Sequence, residues 1–270
     1  MSTEGVNERS RHIDEMSTID MIRVINQEDY TVAQCVEQAI PQISAVVDAI
    51  YERMRRGGRL IYIGAGTSGR LAVQDAAECT VTYGVPKGTV IAIMAGGREA
   101  VFAPSENVED NFDAGRRDVD LACVTEKDCL MGISASGNAR YVCGALKEAS
   151  ERGALTVGMI CNKQGKFSEF SQYMISVPTG AEVISGSTRM KAGTAQKMVL
   201  NMISTAVMVK LGKVTDNFMT WMTPTNQKLH KRACFIISKV CSVTEETAAR
   251  LLEENGNNIQ SAIHAGKEII

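Results

Sequence analysis

The sequence lacks the patterns that usually hold metal ions and disulfides. Its three histidines, His12, His230 and His264, lie far apart along the chain, which gives no support to a histidine metal site or a histidine-centred catalytic motif. The eight cysteines are scattered without a C-x-x-C pair, and most lie in apolar runs where a reduced thiol behaves as a small hydrophobic residue. The sequence therefore predicts neither disulfides nor a metal site.

Long apolar runs and basic clusters are also missing. Residues 1–17 are polar and do not form a signal peptide, and no apolar run is long enough to span a bilayer. Lysines and arginines are interspersed with acids, and the formal net charge is −2, so the chain has no basic stretch for nucleic acid. We therefore expect a cytoplasmic globular protein with neither nucleic acid nor membrane as a partner.

The apolar residues predict an α/β fold. Five short apolar runs follow Gly57 and alternate with helical stretches. This alternation predicts a five-stranded parallel sheet with helices on both faces. The predicted strands are 59–64, 89–97, 129–137, 155–162 and 173–180, and the predicted helices between them lie near 69–79, 104–121, 138–152 and 164–170.

Helical segments flank this region. Residues 31–56 have helical spacing interrupted by Pro41, and residues 187–211 are apolar on more than one face, which indicates deep packing or a subunit contact. Short polar helices follow from about residue 226, with Thr244 as an expected N-cap. We predict an N-terminal helical arm (1–56), a central ligand-binding domain (57–225) and a small C-terminal helical bundle (226–270).

A glycine-rich turn follows the first predicted strand. Gly64, Gly66 and Gly69 have the spacing G-x-G-x-x-G, which is typical of dinucleotide-binding turns when an acid also ends the second strand. Here the second strand runs into Ala95–Gly97, and Glu99 is the nearest acid. The glycine spacing by itself is compatible with an NAD-binding oxidoreductase, but the acid expected at the end of the second strand is missing.

Two loops rich in hydroxyl groups favour a different ligand. The first loop adds the hydroxyls of Thr67 and Ser68 to the N–H groups of a helix N-terminus, which suits a phosphate. The second loop follows the third strand and contains Ser134, Ser136, Gly137 and Asn138. Ligands of open parallel sheets bind at this edge, so the pair of loops predicts one phosphorylated, polyhydroxylated ligand. Either loop alone is equally typical of an ordinary turn with capping serines.

Longer segments resemble a known family. The stretches "GGRLIYIGAGTSGRLAVQDAAEC" and "AEVISGSTRMKAGTAQKMVLNMISTAVMVKLGKV", together with "TEGVNERSRHIDEMSTIDMIRVINQED" and "TNQKLHKRA", are similar to the N-acetylmuramic acid 6-phosphate etherases of the sugar isomerase (SIS) superfamily. The similarity extends from Thr3 to about Ala233, and "GSTRMKAGTAQK" is its most specific part. The resemblance implies the SIS fold and a phosphorylated amino sugar as substrate. Glucokinase regulatory proteins, which bind sugar phosphates without this chemistry, belong to the same superfamily.

The resemblance implies a lyase reaction of peptidoglycan recycling that needs no cofactor. The D-lactyl ether at carbon 3 of N-acetylmuramic acid 6-phosphate is cleaved, giving N-acetylglucosamine 6-phosphate and D-lactate. In the open-chain sugar a base removes the acidic proton of carbon 2, lactate leaves, and water adds. Two carboxyl groups suffice, with the pKa of at least one raised by burial. The family's motifs make Glu78 the proton donor and Glu109 the second catalytic glutamate, which we assign as the base.

The assignment of Glu109 has alternatives. Glu106 and Asp110 are near enough for a shift in the alignment. Without the family, the acidic stretch around Glu109 is more typical of a solvated helix N-terminus. Glu78 lies in a helix of small and apolar residues, which is less usual for a surface acid.

The segment "GSTRMKAG" supplies further candidates at the start of the long helix, namely Ser187, Thr188, Arg189 and Lys191. Ser187 or Thr188 is a candidate helix cap, and Arg189 or Lys191 is a candidate partner for the lactyl carboxylate or a phosphate. A plain N-cap with solvated cations explains the segment equally well. In related folds this segment approaches the site of a neighbouring subunit, so we expect a homodimer with sites near the interface.

The chain also departs from the family's pattern. Thr80–Val81 replaces two prolines, and the loop "SGNARY" has Ala139 and Arg140 where the family has threonine and proline. The stretch "TWMTPTN" puts Trp221 and Pro224 near a region expected to pack on the C-terminal helices. The C-terminal bundle is expected to be shorter than in the family. Three interpretations stay open: an etherase, a paralogue acting on another phosphosugar, and a non-catalytic sugar-phosphate sensor. The two retained glutamates favour catalysis, whereas the lost threonine hydroxyl favours altered ligand choice.

Overall fold

The computed structural model describes residues 3–105 and 107–268. These residues form a five-stranded sheet in the order β2-β1-β3-β4-β5, and all four neighbouring pairs are parallel. The strands are β1 (Leu60–Gly64), β2 (Val90–Met94), β3 (Cys129–Ser134), β4 (Leu155–Ile160) and β5 (Tyr173–Ser176). The predicted α/β fold with a five-stranded parallel sheet is confirmed.

The strands are buried where helices cover both faces of the sheet. Every residue of β1, β3 and β4 is buried, which explains why their sequences are continuous apolar runs rather than alternating patterns. Several predicted strands extend too far, because the chain turns away from the sheet at their carboxyl ends. After β2, for example, Gly96 and Gly97 have φ angles of 84° and 69°, a left-handed conformation that ends the strand.

The α-helices alternate with the strands and flank them at both ends. They are α1 (Thr18–Gln38), α2 (Ile40–Met54), α3 (Gly66–Tyr83), α4 (Glu99–Phe102), α5 (Phe112–Leu121), α6 (Arg140–Glu151), α7 (Lys191–Lys210), α8 (Gln227–Cys241), α9 (Glu245–Glu254) and α10 (Ile259–Lys267). Pro41 divides the N-terminal helical stretch in two, since it lies in the first turn of α2, where its missing N–H costs no hydrogen bond. The helix predicted over 104–121 is wrong at its start, since α5 begins only at Phe112. The stretch predicted near 164–170 is a 3₁₀-helix, Lys166–Glu169.

Two helices on the sheet approach each other unusually closely. A Cβ atom on Gly115 of α5 would lie 1.8 Å from the carbonyl oxygen of Tyr141 on α6, and one on Gly144 would lie 2.0 Å from that of Phe112. Both glycines are therefore required by the approach of the two backbones. The close contact brings the start of α6 to the loop before α5, where the Tyr141 N–H donates to the carbonyl of Glu109 at 2.8 Å.

The chain divides into two compact units. The first takes residues up to Ala76 and Gly88–Val207, and includes the sheet. The second takes Ala77–Lys87 and the residues from Met208 on, and the described part of α8, α9 and α10 forms a small core of its own. The helices that flank the sheet at both ends of the chain agree with the predicted fold class, whereas the predicted domain bounds at 56/57 and 225/226 stay predictions. Thr244 is the N-cap of α9, as predicted, and accepts a hydrogen bond from the N–H of Thr247 at 3.2 Å.

The departure around Trp221 lies in the second unit. Met222 packs into the core of the bundle, whereas the Trp221 ring is half-exposed and the ammonium of Lys213 lies 3.5 Å from its centroid. The tryptophan therefore forms a cation–π contact at the surface, and its neighbour makes the apolar contact.

Candidate active site

The glycine motif forms the turn from β1 into α3. A Cβ atom on Gly64 would lie 2.9 Å from the nitrogen of Gly69, and one on Gly69 would lie 2.9 Å from the carbonyl oxygen of Gly64. Gly66 between them has a φ angle of 55°. The first and third glycines thus permit close backbone packing, and the second permits a left-handed turn. These requirements explain the spacing without a dinucleotide.

The ends of β1 and β3 enclose a cavity. The two strands are neighbours in the sheet, but their connections lead to β2 on one side and to β4 on the other, so a crevice opens between the loops at their carboxyl ends. A cavity of about 290 Å³ lies there, lined by Glu4, Ala65, Gly66, Thr67, Ser68, Glu109, Ile133, Ser134, Ala135, Ser136, Ala139, Gly186 and Thr188. The structure therefore brings both hydroxyl-rich loops to one cavity.

The start of α3 forms one wall of the cavity. Gly66, Thr67 and Ser68 occupy the first turn of this 18-residue helix, where backbone N–H groups have no partner within the helix and the helix dipole is positive. Ser68 is buried and Thr67 is partly buried. This wall combines hydroxyl and N–H donors in the arrangement that binds phosphate groups at helix N-termini.

The loop after β3 forms the opposite wall and holds its own hydroxyls in place. The Ser134 Oγ accepts a hydrogen bond from the Gly137 N–H at 3.1 Å, and the Ser136 Oγ accepts one from the Asn138 N–H at 3.2 Å. The Asn138 Oδ1 in turn accepts from the Lys166 N–H at 3.1 Å. Gly137 and Asn138 thus support the wall from behind, while the two serines face the cavity.

The two predicted catalytic glutamates lie in different places. Glu109 lines the cavity, whereas Asp110 is not among its lining residues and Glu106 lies outside the described residues. Glu78 is on α3 and exposed, and it is not among the residues that line the cavity. It follows Ser68 by ten residues on the same helix, which corresponds to about 15 Å along the helix axis. Glu109 is also exposed, so one chain alone does not provide the burial expected around either carboxyl group.

The segment 187–191 contributes less than predicted. Thr188 lines the cavity, but Ser187 and Arg189 do not, and Arg189 is exposed. The predicted cap from Ser187 or Thr188 is wrong, because the buried carboxylate of Glu182 accepts from the N–H groups of Lys191 and Ala192 at 2.8 and 2.9 Å. A carboxylate satisfies two free donors of α7 and complements the positive end of its dipole.

Lys191 is buried in an ion pair and is not among the residues lining this cavity. Its Nζ lies 2.5 Å from the Glu28 Oε2 on α1, and the Arg9 Nε lies 2.6 Å from the Oε1 of the same carboxylate. Burial by itself would raise the pKa of Glu28, but the hydrogen bond and charge of Lys191, aided by Arg9, hold this pKa below its usual value. The prediction that Lys191 meets the substrate is therefore not supported by its position.

Sequence reasoning missed one charged residue of the cavity. Glu4 lines it together with Gly186, although 105 positions separate Glu4 from Glu109 along the chain. The signal in the sequence was the N-terminal stretch "TEGVNERSR", which is similar to the family. Ala139, which stands where the family has threonine, also lines this cavity.

Other features of the described chain bear on the kind of site. Residues 3–105 and 107–268 contain no cluster of three or more histidine, cysteine, aspartate or glutamate side chains suited to a metal ion. All eight cysteines are free thiols, and burial raises the pKa of Cys161 to about 12. None of the described helices is sufficiently long and apolar to cross a membrane.

Two domain families match the chain. The N-terminal SIS domain of glucokinase regulatory protein matches residues 42–150, and the SIS domain matches residues 104–206. Together these matches cover the sheet and the residues lining the cavity other than Glu4.

Two solved structures with the same fold are named as sugar-phosphate isomerases. A putative phosphosugar isomerase involved in capsule formation from Bacteroides fragilis is 21% identical, with a TM-score of 0.56 and coverage of 74% of this chain and 95% of that chain. A phosphoheptose isomerase from Neisseria gonorrhoeae is 16% identical, with a TM-score of 0.54 and coverage of 71% and 99%. At these identities the likeness shows the shared fold alone.

Curated relatives are much closer in sequence. An N-acetylmuramic acid 6-phosphate etherase from Caldanaerobacter subterraneus subsp. tengcongensis is 48% identical, with 97% of this chain and 85% of the relative covered. Etherases of the same name from Halalkalibacterium halodurans and Staphylococcus epidermidis are 46% and 44% identical, each with 97% of this chain covered and with 88% and 89% of the relative. With this identity over nearly its whole length, and with a SIS fold, the chain belongs to the N-acetylmuramic acid 6-phosphate etherase family.

Proposed function

We propose that this protein cleaves the D-lactyl ether of N-acetylmuramic acid 6-phosphate, releasing D-lactate and leaving N-acetylglucosamine 6-phosphate. The observation that carries the proposal is that Glu109 lines the same cavity as the two hydroxyl-rich loops of the sheet edge. Such a cavity joins a phosphate-binding wall to a carboxyl group, and relatives named for this activity are 44–48% identical. We further propose that the reaction takes place in the cytoplasm, in peptidoglycan recycling.

The phosphate of the substrate is assigned to the wall built by α3 and the loop after β3. Thr67 and Ser68 supply hydroxyls beside the free N–H groups of α3, and Ser134 and Ser136 supply hydroxyls from the other side. Each oxygen of a phosphate accepts hydrogen bonds, and the positive end of the helix dipole favours its negative charge. Binding there leaves the sugar carbons to extend towards the remaining walls of the cavity.

Glu109 is proposed as the base at carbon 2. In the open-chain sugar the aldehyde acidifies the carbon 2 proton, and a carboxylate in the cavity accepts it. The electron pair left on carbon 2 forms a double bond to carbon 3, and the lactyl oxygen departs with a proton from an acid. Addition of water to the resulting unsaturated aldehyde places a hydroxyl at carbon 3 and returns a proton to carbon 2, so that the overall reaction consumes one water molecule.

Glu78 is proposed as the acid that protonates the leaving oxygen, and a second copy of the chain is proposed to supply it. Within one chain, about 15 Å of helix separates Glu78 from Ser68, which is longer than the distance from the phosphate of a hexose phosphate to its carbon 3. A symmetric dimer places the same surface of each copy against the other. Such a pairing can bring the exposed Glu78 of one copy to the cavity of its partner and bury both carboxyl groups.

The sensor interpretation does not explain the retained acid. A protein that only binds a sugar phosphate needs no base, whereas the proposed elimination needs a carboxylate beside the two loops that can accept the carbon 2 proton, and Glu109 is placed to supply it. Retention of Glu109 at this cavity therefore favours catalysis.

The test is release of D-lactate from N-acetylmuramic acid 6-phosphate by the purified protein, with the sugar product identified by mass spectrometry. We expect turnover by the parent and at least a hundredfold lower kcat for Glu109→Gln, because loss of a general base typically costs that much. Asp110→Asn is the matched control, since this neighbouring acid does not line the cavity, and it should retain the parent rate. Failure of the parent to release lactate, or an unchanged rate for Glu109→Gln, would contradict the proposal.

A further inference from the structure

The N-terminal segment Thr3–Ser10 is fixed to the first unit by specific hydrogen bonds. Thr3 is fully buried, and its N–H donates to the Oδ1 of Asn162 at 3.0 Å. The Nδ2 of Asn162 donates to the Thr3 Oγ1 at 3.1 Å and to the carbonyl of Ala135 at 3.5 Å. Asn162 follows β4, and Ala135 belongs to the cavity wall. One side chain thus ties the start of the segment to that wall.

The rest of the segment follows the stretch before α7. The Ser185 Oγ donates to the carbonyl of Gly5 at 3.1 Å, and the Ser10 Oγ donates to that of Val183 at 2.7 Å. Arg9 pairs with the buried carboxylate of Glu28. Glu4 therefore lies between two residues whose backbones are held, Thr3 and Gly5.

Gly186 lies beside the Glu4 carboxylate. Gly186 has a φ angle of 76°, and a Cβ atom there would lie 3.7 Å from the Glu4 Oε2. The carboxylate and Gly186 both line the cavity. An acidic side chain on a fixed segment therefore contributes to the wall formed by residues near the start of α7, apart from the loops after β1 and β3.

We propose that Glu4 is a substrate-binding residue that selects the sugar part of the ligand. A carboxylate only accepts hydrogen bonds, so its partners in the ligand are hydroxyl or amide N–H groups and not the phosphate. The same charge repels a phosphate and keeps it at the α3 end of the cavity, so the ligand binds in one orientation. This inference rests on the proposed function, since it takes a phosphorylated amino sugar as the ligand.

The proposal makes opposite predictions for two ligands. Glu4→Ala removes both an acceptor for the sugar and a negative charge that repels anions. We expect the dissociation constant for N-acetylglucosamine 6-phosphate to rise about tenfold or more, because hydrogen bonds to charged groups are among the stronger ones. For inorganic phosphate we expect unchanged or tighter binding. Both constants are measured by isothermal titration calorimetry on the full chain, with Glu4→Gln as a conservative second variant.

Glu8→Ala is the matched control, because Glu8 lies in the same segment, pairs with Arg11 and does not line this cavity. It should bind both ligands as the parent does. An affinity of Glu4→Ala for the sugar phosphate within twofold of the parent would overturn the proposal. An equal loss of affinity for the sugar phosphate and for inorganic phosphate would also overturn it, since that result would mean that Glu4 only stabilises the structure of the cavity. The proposed function itself fails on a different result: the Ser134→Ala variant binds the sugar phosphate as the parent does, and the parent releases no lactate from N-acetylmuramic acid 6-phosphate.

Discussion

At the scale of single residues, Ala139 belongs both to the start of a helix and to the cavity wall. It is the N-cap residue of α6, with φ and ψ of −55° and 111°, and it lines the cavity. An alanine offers no oxygen to the free N–H groups of the helix, whereas a threonine at an N-cap does. The family's threonine would therefore cap α6 and add a hydroxyl to the cavity wall, and this chain has lost both.

Ala139→Thr should stabilise the protein, because it restores a side-chain acceptor at the start of α6. We expect the free energy of unfolding to rise by about 1 kcal/mol, measured by urea denaturation. Ala33→Thr is the control: Ala33 is exposed in the interior of α1, and threonine there should cost about 0.5 kcal/mol of helix propensity. A destabilised Ala139→Thr variant would show that the cap geometry does not accept threonine.

At the scale of the elements, the buried Glu28 carboxylate joins three parts of the first unit. It lies on α1, pairs with Lys191 at the start of α7, and also pairs with Arg9 of the N-terminal segment. Both Glu28 and Lys191 are almost fully buried, so neither charge can be solvated if the other is removed. This contact fixes the position of the N-terminal segment, and with it that of Glu4.

Glu28→Gln should destabilise the fold by about 3 kcal/mol at pH 7, because it leaves the Lys191 ammonium buried without an anion. The pKa of Glu28 is lower in the folded chain than its usual value. Its ionisation therefore stabilises the fold above the unfolded pKa of about 4.3, and this contribution is lost as the pH falls through the lower folded value. Urea denaturation at several pH values should show the difference between parent and variant narrowing in acid.

The exposed Glu37 of α1 provides the control for that experiment. Glu37→Gln should change the free energy of unfolding by less than about 0.5 kcal/mol. A difference between the parent and Glu28→Gln that stays constant down to pH 3 would contradict the assigned ionisation.

At the scale of the whole molecule, the proposed mechanism takes its two glutamates from different copies of the chain. Glu109 lines the cavity and Glu78 does not, and both side chains are exposed. The proposed pair of Glu109 as base and Glu78 as acid therefore calls for a second copy of the chain, as in the proposed homodimer. Sharing of sites can be tested by complementation between two inactive variants.

Glu78→Gln and Glu109→Gln chains should each be inactive alone, and a mixture of them should recover activity. In mixed dimers with shared sites, one site contains both substitutions and the other contains neither. Random pairing of equal amounts makes half of the dimers mixed, so about a quarter of the parent activity is expected. The measurement is D-lactate release after the two chains are denatured and refolded together, with dimer mass checked by light scattering.

A mixture of Glu109→Gln and Glu109→Ala chains is the control, since neither chain supplies the missing base and the mixture should stay inactive. Absence of recovery in the first mixture, with dimers present, would show that both glutamates act within one chain. A monomeric parent at the assay concentration would contradict the dimer itself.

The fold and half of the cavity follow from local sequence. The apolar runs of β1, β3 and β4 predict buried parallel strands because their residues are apolar on both faces. The glycines and hydroxyls after β1 and β3 predict a site at the carboxyl edge because the order of parallel strands places these loops together. Thr67, Ser68, Ser134 and Ser136 all line the cavity. Each of these inferences depends on short-range patterns with a direct physical meaning.

The remaining features depend on contacts between residues far apart in the chain. The Glu28 and Lys191 pair spans 163 positions, and the bond between Thr3 and Asn162 spans 159, so no local pattern predicts them. Glu182, rather than Ser187 or Thr188, accepts hydrogen bonds from the start of α7. Its carboxylate lies nine residues before Lys191, beyond the range of a local capping pattern. The sequence by itself determined the parallel sheet, the position of its ligand edge and the types of donor found there, since these depend on periodicity and strand order. Only the tertiary structure decided that Glu4 lines the cavity, that Lys191 is buried in an ion pair with Glu28 and that Glu182 holds the start of α7, because these positions depend on how separate segments pack.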